Sequence, residues 1–126
     1  MNTIINTPNA PAPIGPYNQA VLAGNLLFVS GQIALDAQTG ELVMADLATE
    51  THKVMNNIKA ILEAAGVDFG HIVKTSIFLK DMGDFTQVNE IYGSYFTGKF
   101  PARETIQVAA LPKNVNVEIS VTAYKA

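Results

Sequence analysis

Only one arginine occurs among the eight basic residues of the 126-residue chain: Arg103, in the segment Phe100-Pro101-Ala102-Arg103. A planar guanidinium grips a carboxylate through two parallel N–H···O bonds, a geometry that a lysine ammonium cannot copy. Pro101, two residues upstream, fixes its own φ, so the turn before Arg103 is stiff enough to aim it. On sequence alone the same residue also reads as a surface or salt-bridging arginine, and both readings stand. Glu118 is the second candidate. Val117, Ile119, Val121 and Ala123 alternate with Asn116, Glu118, Ser120 and Thr122, which sets a carboxylate in the middle of a strand. If that face were buried, Glu118 would need a charged or hydrogen-bonding partner; on a solvated face it would not. Beside Arg103 it would stay ionised and could orient a water. Thr105 and Gln107 share the Arg103 side of their own strand, so this end is polar.

Other residue types that carry chemistry are sparse. Ser30-Gly31-Gln32 ends an apolar stretch without the glycine pattern of a nucleophile elbow, so Ser30 reads as a turn residue with a satisfied hydroxyl. Tyr17 either walls a pocket or packs. His52 and His71 fit no metal-ligand motif, and no glycine-rich phosphate loop is present, so neither a metal nor any other cofactor is expected. The chain has no cysteine, which removes disulfides, thiolate nucleophiles and thiolate metal sites. A net charge of −3 without a basic cluster offers no footprint for nucleic acid. No lysine or arginine precedes Lys53, so the basic start of a signal peptide is missing, and no apolar run nears the ~18 residues of a membrane span. A cytoplasmic protein without a membrane partner is the expectation.

The elements that must position these residues follow from hydrophobic spacing. Thr7–Pro16 holds four prolines and is expected to be an ordered loop, with a flexible tail as the alternative. Ala20–Ala23 and Leu26–Val29 flank Gly24-Asn25, a two-residue hairpin signal. Leu47, Thr51, Val54, Ile58, Ile61, Leu62 and Ala65 recur at three- and four-residue steps and predict a helix over 46–65, with Asp46 as N-cap and Gly66 as stop. Ile72–Leu79 reads as a strand. A second helix is expected from Asp84, with Gln87 completing a capping box, to about Gly98. Its aromatic residues at helical spacing read as core. Strands over 105–111 and 116–124, separated by Pro112-Lys113-Asn114, complete an α+β layer: one mixed sheet with both helices on one face, in a single domain over 1–126. The other face of such a sheet would be bare. Together with 48% hydrophobic and only 15% charged residues, this predicts that a second copy of the chain covers it.

Several segments then combine in order. Ile14-Gly15-Pro16-Tyr17, Ser30-Gly31-Gln32, Lys59 to Gly66, Ile72-Val73-Lys74-Thr75, Phe85 with Val88-Asn89, Phe100 to Arg103, Val108-Ala109, Leu111-Pro112-Lys113 and Val117-Glu118-Ile119 resemble the Rid family, also called YjgF/UK114-like, and within it the RidA branch. The resemblance runs from about residue 3 to the C-terminus. It implies a chorismate-mutase-like fold assembled as a homotrimer with clefts between subunits. It also implies hydrolysis of 2-iminobutanoate and 2-iminopropanoate to 2-oxo acids, without metal or cofactor. Carried onto this chain, Arg103 would clamp the substrate carboxylate and Glu118 would position the attacking water. Gly31 and Thr105 would line the pocket through their backbone, with Tyr17, Ser30 and Asn89 as further wall residues. Thr105 stands where many relatives carry cysteine, and Glu104 and Ala110 also depart from the common pattern. A non-catalytic 2-oxo-acid-binding module and a chaperone-like holdase are the alternatives.

Overall fold

The structure is a computed structural model that describes residues 2–126. Its elements in chain order are β1 (Thr3–Ile5), β2 (Ala20–Ala23), β3 (Leu26–Gln32), α1 (Leu47–Ala64), β4 (Ile72–Leu79), α2 (Phe85–Gly93), β5 (Ala102–Gln107) and β6 (Val117–Tyr124). The six strands form one sheet in the order β1-β2-β3-β6-β4-β5. Among the described residues the β4–β5 pair alone is parallel; the other pairs are antiparallel. β6, last in sequence, therefore lies in the middle, which explains why its odd-numbered side is so uniformly apolar.

The α1 pattern closes as the spacing predicts. The Asp46 carboxylate accepts from the Thr49 amide at 2.7 Å, satisfying one orphan donor of the first turn. Gly66 follows the last turn with φ +78°, a conformation that costs a residue with a side chain. Val54, Ile58, Ile61 and Leu62 are buried against Leu27, Ile77, Ile119, Val121 and Ala123 of the sheet, in one hydrophobic cluster that also takes in Val88 and Tyr92 of α2. Both helices thus cover one face.

Three boundaries differ from the sequence reading. α2 stops at Gly93, not near Gly98. Tyr95 and Phe96 still pack on the core, because a tight turn with bonds from Tyr95 N to Tyr92 O and from Phe96 N to Gly93 O carries them there. The Asp84 capping box does not form: Asp84 has helical backbone angles and closes a short 3-10 turn, whose cap is Asp81 accepting from Gly83 N. β5 begins at Ala102 and ends at Gln107, while Val108–Leu111 run out of the sheet. β1 was not foreseen; three residues are too few for a periodic signal.

On the helix-free face stand Leu26, Phe28, Ile106 and Tyr124, with Phe28 and Ile106 close to half exposed. The polar strand residues Ser120 and Thr122 lie among them. No helix is long and apolar enough to cross a membrane among the described residues.

Candidate functional site

Arg103 is the second residue of β5 and lies opposite Thr75 of β4. Thr75 is fully buried on the helix side of the sheet, so Arg103 points toward α2. There it meets a cradle cut from one face of that helix: Phe85, Asn89 and Tyr92, spaced i, i+4, i+7. The Asn89 side-chain oxygen accepts from one terminal guanidinium nitrogen. The guanidinium carbon lies 5.6 Å from the Phe85 ring centre and 5.5 Å from that of Tyr92, within cation–π range of both. Tyr92 is itself fixed, its hydroxyl donating to Thr75 Oγ1 at 2.9 Å, and burial pushes its proton affinity up so that it stays a donor. Gln107, farther along β5, accepts from Met82 N at 2.7 Å and ties the turn before α2 to the same strand. One of five guanidinium N–H groups is thereby used, and the others make no hydrogen bond among the described residues. The cavity beside them, about 460 Å³, is lined by Asn89, Tyr92, Gly93, Phe100, Pro101 and Arg103.

Glu118 lies on the opposite face. It pairs with Phe78 between the fully buried Val117 and Ile119, so its side chain leaves the sheet away from the helices. It lines a narrower cavity, about 100 Å³, together with Ile14, Tyr17, Gly31, Lys113 and other residues of the proline-rich loop and the β3 exit. That loop is ordered, as expected, by a residue the sequence reading missed. Gln19, buried, accepts from Thr7 N at 2.7 Å and donates to the carbonyls of Thr7, Ala10 and Pro11. Its partners are backbone groups of the loop, which leave no pattern to find in a sequence. The Glu118 carboxylate is half-buried, and desolvation pushes its pKa above the ordinary glutamate value.

Within one chain, then, the expected site residues fall into two groups. Arg103 and Asn89 share one cavity, and Tyr17, Gly31 and Glu118 share the other. Ser30 and Thr105 line neither. The Ser30 hydroxyl is committed to Asn18 O at 2.6 Å, which orients the loop bearing Tyr17. Thr105 follows Arg103 on the outermost strand. Val108 N donates to Leu79 O, so the alternation of a parallel ladder turns the Thr105 N–H to the open edge of the sheet. Glu104 is tied to Lys74 at 2.7 Å and to Ser76 on the helix-free face, away from the Arg103 cavity. Phe85 and Tyr92, read as core, are the residues missed on the Arg103 side; an asparagine between them on one helical stripe is the available signal.

Two substitutions probe these details. A Cβ at Gly31 would stand 2.5 Å from Glu118 Oε2 and 2.9 Å from its Cδ. Since the crowded atoms end a flexible side chain, Gly31→Ala is expected to fold normally but to displace the carboxylate. The Glu118 carboxyl titration, followed by 13C NMR, should move from its parent position with thermal stability nearly unchanged. The Thr105 hydroxyl is buried without a hydrogen-bond partner. Thr105→Val should therefore stabilise by about 1 kcal/mol, read as a rise of several degrees in Tm.

The fold and the split site define a class: a two-helix, six-stranded α+β protein with a cradled arginine beside a cavity on one sheet face and, on the other, a half-buried glutamate without a partner among the described residues. The chain belongs to the YjgF/Rid family, whose profile, described as endoribonuclease L-PSP, matches residues 7–125. A RutC family protein of Pyrococcus horikoshii is 51% identical over 99% of both chains. The human 2-iminobutanoate/2-iminopropanoate deaminase is 48% identical over 95% of this chain and 88% of its own. The crystal structure of Escherichia coli TdcF with bound serine superposes with a TM-score of 0.94 at 42% identity, covering 98% of this chain and 99% of that one.

Proposed function

We propose that this protein is a metal-free, cofactor-free cytoplasmic hydrolase of reactive 2-imino acids, acting as a single-domain subunit of a homotrimer. The observation that carries the reading is the Arg103 guanidinium, held by Asn89 and two aromatic rings with its remaining N–H donors open to a cavity. A preset fork of that kind suits a carboxylate. The names of the mammalian relatives and the amino acid bound to TdcF support the same ligand class.

Because Arg103 and Glu118 leave opposite faces of one sheet, one ligand can touch both only across a subunit boundary. The exposed apolar residues of the helix-free face supply a reason for chains to meet. In the assembled cleft the substrate carboxylate sits on Arg103 of one protomer, and the Thr105 N–H at the strand edge is available to the same ligand. Glu118 of the next protomer, beside Gly31 and Tyr17, takes a proton from water as its oxygen bonds to the imine carbon. The C=N π pair moves to nitrogen, which takes that proton from Glu118 and so completes the carbinolamine. The carbinolamine then collapses: its hydroxyl proton passes through Glu118 to the amine nitrogen, the C–N bond breaks with its electron pair leaving on ammonia, and the oxygen forms the C=O of the 2-oxo acid. Glu118 returns to its starting state. An imine hydrolyses readily, so orientation and one proton relay suffice.

The test couples a threonine dehydratase, which generates 2-iminobutanoate, to the release of 2-oxobutanoate. Parent protein should accelerate release. Arg103→Ala and Glu118→Gln should each be inactive, yet co-refolded mixtures should recover activity. In a random 1:1 assembly about a quarter of the clefts pair an intact Arg103 with an intact Glu118. No acceleration by the parent, or no recovery on mixing, would end the reading.

A further inference from the structure

Glu50 is a fully buried carboxylate with no cation beside it, one turn into α1, and the hydrolytic steps make no use of it. Its two oxygens are nonetheless fully employed. Oε2 accepts from Asn116 N at 2.8 Å and from Val117 N at 3.3 Å, and Oε1 accepts from Asn116 Nδ2 at 2.8 Å. These donors belong to the residues immediately before Glu118. The ladder between β3 and β6 has already ended at the Gln32–Ile119 pair, after a bulge in β3. The start of β6 is therefore without a strand on that side, and Glu50 stands in for the missing neighbour. Across the chain, Lys80 N donates to Asn116 O at 3.0 Å, so the same peptide is held from both sides.

Two helical turns further, Asn57 repeats the device. Also buried, it donates from Nδ2 to Ile33 O and Leu35 O at 3.0 Å each. Ile33 and Leu35 line the Glu118 cavity, as do Pro112 and Lys113, which lead into Asn116. Thus α1 reaches through the core with two polar side chains on one face, one to each wall of that cavity. Among the described residues the Glu118 carboxylate has no hydrogen-bond or ion-pair partner to hold it. Its direction depends on the backbone that bears it.

We infer that Glu50, seconded by Asn57, is a positioning residue for Glu118: it fixes the start of β6 and so aims the water-activating carboxylate. The inference rests on the imine-hydrolase reading for its catalytic meaning. Its geometric content stands apart from that reading.

The experiment compares Glu50→Gln, Glu50→Asp and Glu50→Leu in the coupled assay, with binding of 2-oxobutanoate and the 13C-carboxyl titration of Glu118 followed in each. The glutamine amide keeps the reach: its oxygen can accept from Asn116 N and Val117 N, and its NH2 can donate to the Asn116 side chain once that amide is flipped. Glu50→Gln is expected to stay within about threefold of the parent in kcat. Glu50→Asp, one bond shorter, and Glu50→Leu should lose about tenfold to a hundredfold in kcat. Binding of 2-oxobutanoate, held by Arg103, should change less than about twofold, and the Glu118 titration should move from its parent position. A simple folding defect would instead weaken binding and turnover together. The proposal is overturned if a folded Glu50→Asp keeps parental kcat and Glu118 titration. Should Glu50→Leu fail to fold, the Asp and Gln pair still decides. If the parent has no hydrolase activity, the functional reading fails, while the Glu118 titration across the variants still answers whether Glu50 sets its surroundings.

Discussion

Arg103→Lys is expected to reduce kcat/KM for 2-iminobutanoate nearly as far as Arg103→Ala, even though it keeps the positive charge. The wild-type guanidinium is held by the Asn89 oxygen and flanked by the rings of Phe85 and Tyr92, leaving a flat array of donors on the cavity side. An ammonium has no plane to stack and no paired donors to match two carboxylate oxygens. Losing two charge-assisted hydrogen bonds, each worth about 1.5–3 kcal/mol, corresponds to roughly 10²- to 10⁴-fold in kcat/KM for the alanine variant. The lysine variant should recover no more than about tenfold of that. Calorimetric binding of 2-oxobutanoate should weaken in parallel, since the product carries the same carboxylate. A lysine variant with parental kcat/KM would show that only charge matters at this position, and the cradle on α2 would lose its meaning.

Glu118→Gln is expected to lower kcat by about 10²- to 10⁴-fold, the usual contribution of a general base, and at the same time to raise Tm at neutral pH. The second effect follows from the same desolvation that lifts the Glu118 pKa. The folded protein binds the Glu118 proton more tightly than the unfolded chain does. As pH rises from the unfolded pKa through the raised folded one, folding must take up the cost of ionising a half-buried carboxylate, and stability falls. Below the unfolded pKa that cost is absent; above the folded pKa it is complete. Glutamine never ionises, so the Tm advantage of Glu118→Gln should vanish in acid and open as pH rises through this window. In the parent, turnover should fade on the acid side with a midpoint above the ordinary glutamate range. If the glutamine variant is less stable than the parent at neutral pH, a cation such as Arg103 of the neighbouring protomer outweighs the desolvation of Glu118 in the assembled protein.

Much of this arrangement could be read before any coordinates. The α1 stripe from Leu47 to Ala65 and its Asp46 cap show in the spacing of residues within one short segment, whatever the stripe packs against, and the β6 alternation placed Glu118 opposite the core side. What could not be read depends on distant partners. The Arg103 cradle needs β5 to lie parallel beside β4 and α2 to pack above them, a meeting no local pattern encodes. The apparent length of α2 misled because Tyr95 and Phe96 reach the core through a turn whose periodicity resembles a helix. Gln19, Glu50 and Asn57 escaped notice because a polar residue bound to backbone groups looks, in sequence, like one that faces water. Lys113 and Asn114 adopt positive φ, at 54° and 58°, where only asparagine hints at it beforehand.

The placement of Arg103 and Glu118 on opposite sides of a single sheet has a thermodynamic corollary. On the reading proposed above, a solitary chain, however well folded, would own only half of the machinery for imine hydrolysis, so competence would be a function of protein concentration as well as of structure. Dilution would switch such a protein off while every helix and strand stayed intact, and anything that loosens the contact between copies would act as an inhibitor without ever entering the cleft.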